Sequence, residues 1–144
     1  MSRPVLCAVD ISTPHRDDNV LRKAAQLAAL ENAQLDVITV VPDYGMSVVG
    51  GYFDKTHHDS VMQEAKRLLN DLVTDVLGAE ANAAVRHVIL SGSSAYDEIL
   101  RVARADDAGL IVIGAHKPDF KDYLLGPNAA RVVRHSHCSV FVVR

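Results

Sequence analysis

Chemistry in this sequence concentrates at six positions. Asp10 follows directly on an apolar run, and Gly114, His116, Lys117, Gly126 and Pro127 crowd toward the carboxyl end. Gly126 before Pro127 places a flexible residue ahead of a helix whose first position is proline, where the missing N–H is no loss. The free N–H groups from Asn128 and Ala129 onward, together with the helix dipole, suit an anion such as phosphate. Lys117 offers phosphate oxygens a point charge, and His116 offers a ring nitrogen. Each position also has a plainer reading. Gly126 and Pro127 can be a turn and a cap, His116 and Lys117 solvated loop residues, and Asp10 a turn or helix-capping carboxylate.

The elements that would bring these residues together can be read from apolar periodicity. Val5 to Val9, Leu35 to Val41, Val85 to Leu90, Leu110 to Ile113 and Val140 to Val143 are short runs rich in Val, Ile and Leu, as strands covered on both faces should be. Helical patterns fill the intervals at Asp18 to Asn32, Asp59 to Leu77, Tyr96 to Ala105 and Asn128 to His135. Strict alternation of this kind predicts an α/β fold, a doubly wound five-stranded parallel sheet with helices on both faces. The expected strand order is 3-2-1-4-5, which puts the topological switch point between strands one and four, where such sheets bind ligands. Asp10-Ile11-Ser12-Thr13-Pro14 and Gly114-Ala115-His116-Lys117 both leave the sheet at that crevice.

Composition narrows the classes. The 144 residues are 49% apolar, enough for one sizeable core, so a single domain over residues 1–144 is expected. A net charge of -3 gives no broad electrostatic footprint for nucleic acid or an anionic membrane, and no apolar stretch nears the ~20 residues that span a bilayer. With two cysteines, Cys7 and Cys138, both in strand runs, and no leader-like start, a cytoplasmic protein with buried thiols is expected. P-loop and dinucleotide fingerprints are absent. Ser94-Ala95-Tyr96-Asp97 fits a capping box, and a serine nucleophile in the neighbouring Ser91-Gly92-Ser93 has no obvious base. His135, His137 and Cys138 would point apart, and no second cluster completes a metal site. His57 and His58 are placed before the second helix, facing solvent.

The connection from Pro42 to Thr56 is long, and Gly50 with Gly51 would let Tyr44, Met46, Tyr52 or Phe53 cover a ligand, or those side chains would pack on helix two. The last strand, Ser139 to Arg144, would be an apolar sheet edge that a second copy could cover.

Taken together, Val5-Leu6-Cys7-Ala8-Val9-Asp10, Ile38-Thr39-Val40-Val41, Gly109-Leu110-Ile111-Val112-Ile113-Gly114-Ala115-His116, Leu124-Leu125-Gly126 and Cys138-Ser139-Val140-Phe141-Val142-Val143 resemble the universal stress protein family over essentially the whole chain. The resemblance implies an adenine nucleotide, ATP or AMP with or without Mg2+, held by Ala8, Val9, Asp10, Val40, Ile113, Gly114, His116, Lys117, Gly126, Pro127, Asn128 and Ala129. In it Asp10 contacts the ribose region, the Val40 backbone meets adenine, Gly114 permits close approach, and His116 with the Gly126 turn lies by the phosphates. It also implies a homodimer through the terminal strand, a sensor or regulator signalling to a partner that the sequence does not identify. The alternatives are a slow ATPase or autophosphorylating enzyme, and an interaction protein of the same fold with no nucleotide. Nucleotide-binding members of the family resemble Gly-x-x-Gly, nine residues, then Gly followed by Ser or Thr. Here Lys117 replaces the second glycine, the spacing to Gly126 is one residue short, and Pro127 removes a hydroxyl and an N–H.

Overall fold

The computed structural model describes residues 2–42, 55–115 and 126–144, with side chains of the middle segment from residue 57. Ten elements alternate along the chain: β1 (Val5–Ala8), α1 (Asp18–Leu30), β2 (Leu35–Pro42), α2 (Lys55–Leu77), α3 (Ala79–Ala84), β3 (Arg86–Gly92), α4 (Ala95–Ala105), β4 (Leu110–Gly114), α5 (Pro127–His135) and β5 (Ser139–Val143). The five strands form one parallel sheet in the order β3-β2-β1-β4-β5, as the alternation predicts. Asp10 therefore leaves the sheet beside Gly114, because Ala8 pairs with Ile113 across the switch point.

Period-two alternation in β1 divides the core. Val5, Cys7 and Val9 pack with Val20, Leu21 and Ala24 of α1 and Leu69 and Val73 of α2. Leu6 and Ala8 turn the other way, onto Ile99, Val102 and Ala103 of α4 and Ala129 and Val132 of α5. Each face of the sheet thus has its own helix pair. Both faces of β1 are buried, which explains why its sequence reads as an unbroken apolar run.

Several boundaries differ from the periodic reading. The second helix begins at Lys55 rather than Asp59, so His57 and His58 lie inside α2 instead of ahead of it. Residues 55–60 carry no apolar side chain, and the helical stripe becomes legible only from Val61. The six-residue α3 buries none of its side chains, hence it left no hydrophobic pattern to find. β3 runs on to Gly92 because Val41 and Pro42 pair with Ser91 and Gly92 through the backbone, which needs no apolar side chain. Cys7 is buried in β1, but Cys138 stands one residue before β5; both are free thiols.

Ser94 is the N-cap residue of α4 in position only. It makes no side-chain cap hydrogen bond, and its enclosed hydroxyl has no partner among the described residues. The expected capping box is not formed. The Gly126–Pro127 start is as read: Gly126 caps α5 in an extended conformation and Pro127 takes the first turn.

Candidate functional site

A cavity of about 750 Å³ opens over the carboxyl ends of β1, β2 and β4. Its floor is made by the ends of the strands, Ala8, Val9, Ile38, Thr39, Val40, Ile113 and Gly114. One wall is the loop after β1 with the start of α2; the other is the first turns of α4 and α5, which supply Ala95, Ile99, Pro127, Asn128 and Ala129. Of the residues that the sequence marks for a nucleotide, Ala8, Val9, Asp10, Val40, Ile113, Gly114, Pro127, Asn128 and Ala129 line this space. Gly126 is buried behind it as the α5 cap. His116, Lys117 and the segment carrying Tyr44, Met46, Gly50, Gly51, Tyr52 and Phe53 lie outside the described residues.

Asp10 satisfies its plainer reading and faces the cavity as well. Ser12 donates to its Oδ1 from the backbone N–H at 2.8 Å and from Oγ at 2.6 Å, closing an Asx turn. The Asp10 N–H donates to Asp17 Oδ2 at 2.6 Å, tying the loop to the residue that starts α1. Asp10 Oδ2 has no such bond among the described residues and lies 3.6 Å from Arg16 Nη1. The turn fixes one carboxylate oxygen and leaves the other turned to a cation, with lone pairs to spare.

The periodic reading missed the α2 wall. His57, Ser60, Val61, Glu64, Ala65 and Leu68 recur at helical spacing on one face of α2 and line the cavity. Only Ala65 of these is buried, so the stripe is a mixture of polar and apolar side chains that a search for core positions passes over. Thr39 gave a clearer signal, as the one polar side chain in the apolar run from Val37 to Val41; it is 2% exposed at the cavity floor.

Among the described residues the charged lining is Asp10, Asp17, Glu64 and Arg16. Glu64 is held below the usual carboxylate range by its hydrogen bond to Arg67, so it is ionised at neutral pH. All three carboxylates lie on the α1 and α2 side. Apart from Thr39 the floor is aliphatic, and among the described residues the α4 and α5 side contributes helix N-termini and no acid. An apolar ring therefore suits the floor, and an anion is favoured on the α5 side and disfavoured on the α2 side.

No group of three or more His, Cys, Asp or Glu side chains that could hold a metal occurs among the described residues. Cys138 instead sits in a local turn with Ser136, whose Oγ accepts the Cys138 N–H at 3.1 Å. No helix among the described residues is long and apolar enough to cross a membrane.

A doubly wound parallel sheet with a roomy crevice at its switch point defines an α/β protein of the open-sheet class, in which ligands bind at such a crevice. The model of the universal stress protein family matches residues 1–144. Universal stress protein A homolog 1 of Coxiella burnetii is 28% identical over 139 residues, covering 96% of this chain and 94% of the relative. The structure of a universal stress protein from Archaeoglobus fulgidus superposes with a TM-score of 0.71 at 26% identity, over 100% of both chains. A structure of the Archaeoglobus fulgidus protein in complex with dAMP gives 0.69 at 25% identity, over 99% of this chain and 98% of that one. This chain belongs to the universal stress protein family.

Proposed function

We propose that this chain binds an adenine nucleotide, ATP or AMP, above the switch point and acts as a homodimeric sensor or regulator whose occupancy is read by a partner protein. The observation that carries the reading is the cavity itself. Its volume of about 750 Å³ lies in the range of small-molecule sites, and its lining includes aliphatic, acceptor and donor groups of the kinds that a nucleotide would use. Adenine rests on Ile38 and Val40, the ribose turns to Asp10 Oδ2, and the phosphate meets the N–H groups of Asn128 and Ala129. The Archaeoglobus fulgidus relative in complex with dAMP supports the same ligand class.

The described residues do not form a dedicated magnesium site. Asp10 Oδ1 is occupied by Ser12 and Oδ2 faces Arg16. A magnesium ion bound here would come with the phosphates, which matches its reluctance to shed water.

The homodimer would form through β5, Ser139 to Val143, and Arg144 beyond it. Among the described residues β5 is an edge strand paired with β4 alone, and Phe141 on it is 39% exposed. Mass spectrometry of the small molecule released on denaturing the freshly purified protein tests the ligand, together with calorimetry against AMP, ADP and ATP. Release of an adenine nucleotide and dissociation constants in the micromolar class are expected. No heat with any of the three at millimolar concentration overturns the reading.

A further inference from the structure

Beside the main cavity, and sharing Val40, Pro42, Ala95, Pro127 and Asn128 with it, lies a second hollow of about 540 Å³ between the first turns of α4 and α5. Its electrostatics are opposite to those of the α2 wall. No carboxylate is among its described lining, and Arg131 is. Of the two acids in the first turn of α4, neither Asp97 nor Glu98 lines the hollow, and Glu98 is paired with Arg101 at 2.9 Å.

Arg131 is held in place there without being neutralised. Its Nη1 donates to Tyr96 Oη at 3.2 Å, and its guanidinium carbon stands 4.9 Å from the centre of the Tyr96 ring. That uses one of five N–H donors and removes side-chain entropy before any ligand arrives. Among the described residues no carboxylate pairs with it.

Ser94 also borders the hollow, but its hydroxyl oxygen is enclosed and has no partner among the described residues, so it is packed into the start of α4 and out of a ligand's reach. The first turns of α4 and α5 both border this space, and their helix dipoles favour negative charge there.

We propose that this hollow is a second anion subsite, with Arg131 as its cation, receiving the distal phosphoryl group of a ligand that extends beyond a nucleoside monophosphate. The inference rests on the adenine-nucleotide reading of the main cavity. Such a ligand carries its charge away from Asp10, Asp17 and Glu64, and the subsite stands in for the phosphate contacts that Pro127 removes. Nucleoside diphosphates and triphosphates are the class that fits, because the monophosphate already reaches Asn128 and ends there.

Calorimetry of AMP, ADP and ATP against the unaltered protein, Arg131→Gln, Arg131→Lys and Ser94→Ala tests it. Arg131→Gln should leave AMP affinity within about twofold and weaken ADP and ATP about tenfold or more, the effect of losing a hydrogen bond to a charged group. Arg131→Lys should recover part of that loss, and Ser94→Ala, which removes an enclosed hydroxyl, should leave all three affinities within about twofold. Unchanged ADP and ATP affinity in Arg131→Gln overturns the subsite while leaving the main cavity intact. So does an equal loss for all three nucleotides with thermal unfolding unaltered, since Arg131 would then serve their shared part. Failure of the unaltered protein to bind AMP, ADP and ATP alike overturns the cavity reading itself.

Discussion

Arg86 Nη1 lies 3.3 Å from Asp36 Oδ2, bridging β3 to a carboxylate that is only 1% exposed in β2. The pair sits at the amino end of the sheet, away from the cavity, and Arg86 also holds Asp106 at 2.7 Å. Asp36 Oδ1 has no partner among the described residues. Burial pushes the Asp36 carboxyl above its ordinary value of 3.8, and Arg86 offsets this only in part. Its folded pKa therefore exceeds its unfolded one. The fold binds the proton more tightly than the unfolded chain, so this group's contribution to stability falls as pH rises from 3.8 through the raised value. Asp36→Asn should remove that fall. In thermal unfolding between pH 4 and pH 7, the melting temperature of the variant minus that of the unaltered protein should grow with pH. Arg86→Met, which strands the buried charge, should cost about 1–3 kcal/mol at pH 7.

Gly114 ends β4 in register with Val143 and lines the cavity. A larger side chain at this strand end would take up room at the cavity that Gly114 lines. Gly114→Leu should weaken AMP at least tenfold by calorimetry with unfolding shifted by only a few degrees, and Gly114→Ala should fall between. Unchanged AMP affinity in Gly114→Leu would move the ligand away from β4.

The two thiols differ in access. Cys7 is fully buried in β1, and burial, with the Asp17 carboxylate behind it, raises its pKa far above the ordinary thiol value. Cys138 is partly exposed in its turn with Ser136. A thiol-reactive chromophore at pH 8 should titrate one group per native chain and two in denaturant. Cys138→Ser should abolish the native signal.

Parts of the molecule that bury aliphatic side chains could be read from the sequence, because burial imposes a period. The strands followed from that period, and their order and the crevice at Asp10 and Gly114 from the alternation of strand with helix. Elements bound by the backbone, or with mixed exposure, left no such trace. The start of α2 and all of α3 are examples, as is the extension of β3 through Ser91 and Gly92. The cavity divides the same way. Its strand floor was legible, but the α2 face carrying His57, Ser60, Glu64 and Leu68 mixes polarity because it borders an open cavity and not a core. Ser94 shows the reverse failure: its spacing to Asp97 satisfies the capping pattern, yet its hydroxyl is enclosed beside a hollow.

Among the described residues no strand pairs with the outer edge of β5, Ser139–Val143, which has no charged residue before Arg144. Lys23 lies 5.9 Å from the centre of the Phe141 ring, covering one face of it. Pairing of two such edges would satisfy their backbone groups and shelter Phe141. Light scattering at on the order of tens of micromolar should give twice the 15.6 kDa chain mass. Phe141→Lys should shift the equilibrium toward monomer. A monomer for the unaltered protein would leave the edge to another partner.

The final prediction separates the two oxygens of Asp10. Oδ1 organises the turn by accepting both Ser12 donors, whereas Oδ2 faces Arg16 at 3.6 Å on the cavity side. Asp10→Asn keeps an acceptor for Ser12, so the turn should persist and stability should change by no more than about 1 kcal/mol. It replaces the charged acceptor at the cavity with an amide, which cannot form the charge-assisted bond to a ribose hydroxyl. AMP should bind about tenfold more weakly, with the deficit shared by ADP and ATP because all three carry the same ribose. Asp10→Ala should lose the turn as well and show both a weaker site and a lower unfolding temperature. If Asp10→Asn bound every nucleotide as tightly as the unaltered chain, the carboxylate would be a turn residue alone, and the ribose would lie elsewhere in the cavity.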